Sequence, residues 1–118
     1  MRTHYREIRP FITKDKSEIR ELMHPLVHGN FRQSFAEATV PVAAETQLHR
    51  HIQTEEIYHI TQGAGLMKLG DSQFEVSEGD TICISPGTAH NIRNLGNVPL
   101  KILCSCSPPY SDDDTELL

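Results

Sequence analysis

His49-Arg50-His51-Ile52-Gln53-Thr54-Glu55-Glu56-Ile57-Tyr58-His59-Ile60-Thr61-Gln62-Gly63 is the stretch that decides how this chain folds. It places three histidines and two glutamates within eleven positions and then reaches a glycine. In an extended strand, side chains at i and i+2 share a face. His49 and His51 therefore aim two imidazoles at one point, with Arg50 turned away. A short turn at Gln53-Thr54 lets a following glutamate bring a carboxylate to the same point. Two neutral imidazoles and a carboxylate suit a borderline divalent metal and leave coordination positions open. The second half, with Ile57, Tyr58 and Ile60, reads as a strand that Gly63 ends in a turn.

A further ligand must come from elsewhere. Gly79-Asp80-Thr81-Ile82-Cys83-Ile84-Ser85-Pro86-Gly87-Thr88-Ala89-His90-Asn91-Ile92-Arg93-Asn94 reads as turn, strand, Pro-Gly turn, strand. His90 opens the last of these strands directly after a rigid turn. Together the two stretches offer His49, His51, a glutamate and His90.

On these residues the sequence resembles the cupin superfamily. The first cupin motif has Gly, five residues, His-x-His, three or four residues, Glu, six residues, Gly; His49, His51, Glu56 and Gly63 fit it, with Ala43 at the first glycine position. The second has Gly, five residues, Pro-x-Gly, two residues, His, three residues, Asn; Gly79, Gly87, His90 and Asn94 fit it, with Ser85 at the proline position and Pro86 one place later. The fifteen residues between Gly63 and Gly79 match the spacer of small single-domain cupins. The resemblance covers roughly residues 34 to 110. It implies the metal ligands His49, His51, Glu56 and His90, and selects Glu56 over Glu55, which then faces outward, solvated or paired with Arg50. It also implies one divalent transition metal (Fe, Mn, Zn or Ni).

Working outward, 118 residues make one domain with a single core. A net charge of −5 without a basic cluster argues against nucleic acid as a partner. No apolar run is long enough to span a bilayer and no signal-like segment follows Met1, so the expected location is the cytoplasm, without a membrane partner. Cys83, Cys104 and Cys106 are an odd number of thiols outside any CxxC zinc pattern, and free thiols in a reducing compartment are expected.

The expected fold is all-β, a jelly-roll-like cupin barrel with a short N-terminal helix and an extended arm. Residues 1–30 form the arm and helix, 31–110 the barrel, and 111–118 an acidic tail. Within the first segment, Ser17 is expected to cap a helix carrying Ile19, Leu22 and Met23 and ending at Pro25. His24 and His28 near that end are expected to be capping or exposed. The arm, with Tyr5, Ile8, Phe11 and Ile12, is expected to help build a homodimer, as arms do in the family. The aspartates at 112–114 repel one another, so the tail is expected to leave the barrel and stay solvated.

Strand parity adds the remaining candidates. Tyr58 shares the Glu56 face and enters the cavity as the candidate catalytic hydrogen-bond donor, or packs there. Cys104 and Cys106 share parity with Ile102, opposite Lys101. With Ile60, Phe74 and Ile82 these residues form the expected pocket lining. His59 faces away, and Asn94 is expected to bond backbone. The resemblance implies dioxygenases, isomerases, decarboxylases and binding modules, and the fold does not choose among them. The first expectation is a metal-dependent, dioxygenase-like oxidoreductase acting on a small polar organic molecule. A sugar or sugar-phosphate isomerase is the alternative, though cations for a phosphate are few: Arg93 and Arg32. A non-catalytic metabolite-binding or sensing domain is the reading from another class.

Overall fold

The computed structural model describes residues 1–118. In chain order the strands are β1 (Phe11–Ile12), β2 (Glu18–Met23), β3 (Ser34–Val40), β4 (His49–His51), β5 (Glu55–Gln62), β6 (Ala64–Leu69), β7 (Ser72–Ser77), β8 (Thr81–Ile84), β9 (His90–Asn94), β10 (Leu100–Ser107) and β11 (Thr115–Leu117). One short helix, α1 (Pro25–His28), lies between β2 and β3. The strands form a six-stranded sheet, β1-β2-β3-β10-β5-β8, and a five-stranded sheet, β11-β4-β9-β6-β7. This is a jelly-roll arrangement, as the resemblance implied, with the sheets facing each other and not closed into a ring.

Period-two alternation sets which side chains fill the space between the sheets. On β5, Glu56, Tyr58 and Ile60 are buried while Glu55, Ile57 and His59 are exposed. On β10, Leu100, Ile102, Cys104 and Cys106 are buried, as the opposition to Lys101 requires. The core gathers Val40, Ile60, Met67, Val76, Ile82, Ile84, Ile92, Leu100 and Ile102. Removing one such side chain, as in Ile102→Ala, costs about 2–5 kcal/mol. Gly63 joins β5 to β6 at φ 90°, and a Cβ there would meet Leu100 Cα at 3.2 Å. Ala43, where the motif has glycine, keeps that left-handed backbone at φ 66°. The turn is therefore retained with the wrong residue for it, at a local cost of about 1–2 kcal/mol.

Two expectations are corrected near the chain ends. Residues 18–23 are a strand: β2 pairs antiparallel with β3, Ile19 opposite Ala38, and Ser17 caps no helix. The apolar residues spaced like a helix face are recruited by the open edge of β3, a tertiary contact that outweighs local propensity. The helix instead starts after His24, which caps it by accepting from Leu26 N through Nδ1, and Pro25 takes the first turn. The acidic tail also returns to the fold. β11 pairs with β4, Thr115 opposite His51, and Asp114 accepts from Gln53 N and Thr54 N across the turn before β5. The repulsion among the three aspartates is offset because Asp114 satisfies two backbone donors that the turn leaves free.

The arm lies on its own chain. β1 pairs with β2, Thr3 Oγ1 donates to Leu22 O, and Arg20 donates to Tyr5 O and Ile8 O.

Candidate metal centre

Three imidazoles meet at one end of the space between the sheets. His49 and His51 come from β4 and His90 from β9, whose strands pair at His49 opposite His90. Gly87 N donates to His51 O at 2.6 Å, so the Pro86-Gly87 turn that presents His90 is bonded directly to the histidine strand. All three side chains are buried. One ring nitrogen from each lies within 4.8 Å of the others, close enough to hold a metal ion.

The bonds behind these rings set their tautomers. His49 Nδ1 lies 2.8 Å from Gln47 O, and His90 Nδ1 lies 2.9 Å from Thr88 O. A carbonyl oxygen only accepts, so both Nδ1 atoms carry the proton. His51 Nδ1 lies 3.0 Å from Thr115 Oγ1, whose own proton goes to Ser111 O at 2.8 Å. Thr115 therefore accepts from His51 as well. Each neutral ring then presents its Nε2 lone pair forward, the arrangement that ligating histidines adopt.

Glu56 completes the convergence from β5. Its Oε1 lies 3.2 Å from His51 Nε2 and 3.6 Å from His90 Nε2. Neither Glu56 Oε1 nor His90 Nε2 has a hydrogen-bond partner, and both atoms are buried. Burial alone would raise the Glu56 carboxyl; it is held down, to about 2, only where the facing His51 and His90 rings turn a proton or positive charge toward it. A buried carboxylate costs several kcal/mol unless a positive group offsets it. Lone pairs and a carboxylate oxygen cannot face one another at these distances without a cation between them. A divalent metal or a proton on an imidazole meets that need, so the residues fit a metal. Cys106 Sγ, 3.3 Å from Oε2, fixes the other oxygen.

The centre opens into a cavity of about 40 Å³. Asp15, Glu21, Ser34, Tyr58, Cys104, Cys106, Tyr110 and Thr115 line it beside His49, His51 and Glu56. Burial and then the charge of Glu56 push the Tyr58 hydroxyl and the Cys104 and Cys106 thiols well up, so all three keep their protons at neutral pH. Burial likewise raises Glu21, with His24 opposing it. Burial, and then the neighbouring His90, lowers His49.

Of the expected lining, Cys104 and Cys106 reach the cavity, whereas Ile60, Ile82 and Ile102 lie deeper in the core. Phe74 shares the face of Val76 on β7, but on this edge strand it stays partly open to solvent and does not line the cavity. Glu55 is exposed, and Arg50 pairs with Glu116 at 3.1 Å. His59 bonds Thr81 Oγ1 at the surface, and Asn94 bonds the backbone of Val40, Val98 and Gly96. Asp15, Glu21, Tyr110 and Thr115 had no signal in the sequence. They come from segments read as arm and tail and reach the cavity only through long-range pairing.

Comparison with known proteins agrees with this architecture. The cupin domain family model matches residues 36–106. An uncharacterized protein of Methanocaldococcus jannaschii is 57% identical over all 118 residues, which span 94% of that protein. The crystal structure of a predicted oxalate decarboxylase from Thermotoga maritima superimposes with a TM-score of 0.79 at 25% identity, over 92% of this chain and 99% of that one. The formate complex of Lactobacillus farciminis oxalate decarboxylase gives 0.83 at 21% identity over 98% of this chain, which spans 35% of the larger enzyme, and shows the fold alone. The chain belongs to the cupin family.

Proposed function

We propose that this cupin is a metal-dependent enzyme acting on a small polar organic molecule, with His49, His51, Glu56 and His90 holding one divalent transition metal (Fe, Mn, Zn or Ni). The observation that carries the reading is the convergence of Glu56 Oε1 on His51 and His90 Nε2, with Glu56 Oε1 and His90 Nε2 buried and unpartnered. A bound metal would supply Lewis acidity, or activation of dioxygen, at positions facing the cavity. The chain's own residues do the rest. Gln47 O, Thr88 O and Thr115 Oγ1 keep the imidazoles in the ligating tautomer, and Cys106 orients Glu56. Tyr58, protonated and buried beside Glu56, offers a hydrogen bond to a substrate oxygen. Tyr110, Thr115 and Asp15 line the rest of the cavity and take up space that water would otherwise fill.

A dioxygenase-like oxidation is the first reaction type. The test is metal analysis of protein purified without a histidine tag, followed by dioxygen uptake with offered catechols, thiols and diketones. In protein loaded with Fe(II) or Mn(II), aerobic incubation without substrate should add oxygen to Cys104 or Cys106, read by peptide mass. Fully loaded protein with intact thiols and no dioxygen consumption would defeat the oxidative reading. Lewis-acid chemistry of the isomerase kind is the second reading, favoured by the carboxylates Asp15 and Glu21 in the wall. The exposure of Arg32 and Arg93 argues against a phosphorylated substrate.

We also infer a homodimer, with residues 1–30 as an accessory segment on the 31–110 barrel. The apolar face left open is the outer side of the larger sheet, where Phe35 and Ile57 are exposed. Sedimentation of Ile57→Glu, which should shift to monomer, tests it. The exposed free thiol Cys83 is compatible with the reducing cytoplasm. No helix is long and apolar enough to cross a membrane.

A further inference from the structure

The cavity wall opposite the imidazoles carries a charge pattern that bears on what the site can accept. Asp15 stands in the turn between β1 and β2. Its Oδ1 accepts from Thr13 Oγ1 at 2.6 Å, Ser17 N at 3.0 Å and Ser17 Oγ at 2.6 Å. That leaves Oδ2 turned toward the centre, 3.7 Å from His49 Nε2. Glu21, on β2, lines the same cavity, and its Oε1 is buried without a hydrogen-bond partner. With Glu56 the cavity is lined by three carboxyl groups, and neither lysine nor arginine lines it. Lys14 is held at the rim by the carbonyl oxygens of Asp112 and Thr115.

Charge decides the consequence. A divalent metal brings two positive charges, which Glu56 and Asp15 already neutralise. A dianion entering this space adds two negative charges with no cationic side chain to meet them, in a site where little water screens the repulsion. Ionised, Glu21 offers only acceptors and nothing that attracts an anion. A ligand that carries hydroxyl or ammonium donors, by contrast, satisfies Asp15 Oδ2 and Glu21 Oε1, the acceptors left open.

We propose that the cavity selects a small neutral or singly positive ligand rich in N–H or O–H donors, an amino alcohol or polyol, and disfavours dicarboxylates. Asp15 and Glu21 are the selecting residues. The inference rests on the metal-centre reading above, and it separates this chain from the oxalate decarboxylases whose fold it shares.

The test uses full-length protein loaded with Co(II), whose visible spectrum reports on ligands entering the centre, with ethanolamine and oxalate as probes. Metal content is measured first for wild type, Glu21→Gln and the Asp15→Asn/Glu21→Gln double variant. The double variant should tighten oxalate by about tenfold or more and weaken ethanolamine by a similar factor, because both carboxylates act on both probes. Glu21→Gln alone, which leaves the Thr13–Ser17 turn intact, should move both affinities in the same directions by a smaller factor. Oxalate binding that is unchanged or weakened in both variants overturns the inference, as does wild type that binds oxalate and shows no response to ethanolamine. Protein that takes up no metal overturns the metal-centre reading and this inference with it. Loaded protein with the wrong probe dependence overturns this inference alone.

Discussion

The cavity has two walls of different origin. One is built from the middle of the chain, where His49 and His51 on β4, Glu56 on β5 and His90 on β9 converge from the two sheets. The other is built from the two ends: Asp15 from the β1–β2 turn, Glu21 from β2, and Tyr110 and Thr115 from the last segment. The first wall supplies the atoms that converge, and the second supplies what holds and screens them. Thr115 belongs to the second wall yet fixes His51 of the first, so the two are coupled through one hydroxyl. The difference is one of range. Residues two apart on a strand share a face whatever the rest of the chain does, whereas Thr115 meets His51 only once β11 has paired with β4.

The sharpest way to break the comparison is to remove the middle wall. His51→Ala combined with His90→Ala should abolish stoichiometric metal binding, measured by elemental analysis of untagged protein. Glu56→Gln should lower metal content, while exposed Glu55→Gln should leave it near wild type. Metal that survives the double histidine variant would show that the convergence of Nε2 atoms is not the binding site.

The next effect tests the coupling. Thr115→Val keeps shape and removes the oxygen that accepts from His51 Nδ1. Losing such an outer partner should weaken metal affinity by about 10–100-fold, read by competition with a chelator. Unchanged affinity would mean the tail only covers the site. Had the tail been solvated, as its run of aspartates suggested, this substitution would do nothing.

That contrast also explains what could be read in advance. The ligand candidates, the strand parity of β5 and β10 and the fold itself follow from short spacings. Phe74 was misplaced because alternation gives the face and not the distance from the cavity: it shares the face of buried Val76 but sits on the edge strand β7, away from the site. β2 was read as a helix because Ile19, Leu22 and Met23 fit that period equally well, and only the edge of β3 decides between them. Asp15 and Glu21 carried no pattern at all, since a single carboxylate in an extended segment looks the same whether it faces water or a cavity.

A third test separates the walls by the sign of their pH response in metal-free protein. His49 lies in the middle wall with its native pKa below the ordinary 6.5. The unfolded chain then takes a proton first as pH falls, so this contribution to stability is lost from about 6.5 downward to the depressed native value. Glu21 lies in the terminal wall with its native pKa above 4.5. Its contribution is fully present below 4.5 and is lost as pH rises through the raised value. Melting temperatures across pH 4 to 8 should therefore fall less steeply toward acid in His49→Gln, and less steeply with rising pH above 4.5 in Glu21→Gln. Equal slopes in both variants and wild type would remove the electrostatic distinction between the walls.

The smallest expected effect lies where the core meets the middle wall. Cys106 Sγ donates to Glu56 Oε2, a weak donor on a buried carboxylate. One hydrogen bond of this kind contributes about 1 kcal/mol, so Cys106→Ala should weaken metal binding by only a few-fold. Cys106→Ser replaces the donor at similar volume and should recover most of that loss, which a pure packing role could not explain. The thiol's raised pKa keeps it protonated, as a donor requires, and also makes it a poor nucleophile. Iodoacetamide should accordingly modify exposed Cys83 in the native protein and reach Cys104 and Cys106 only after unfolding. If Cys106 alkylates as fast as Cys83, the thiol is ionised and open to solvent, and its role as the partner of Glu56 falls. If it stays protected while Cys106→Ala and Cys106→Ser bind metal identically, the sulfur serves to fill space. Only protection together with recovery in the serine variant makes Cys106 the residue that aims Glu56 Oε1 at the imidazoles.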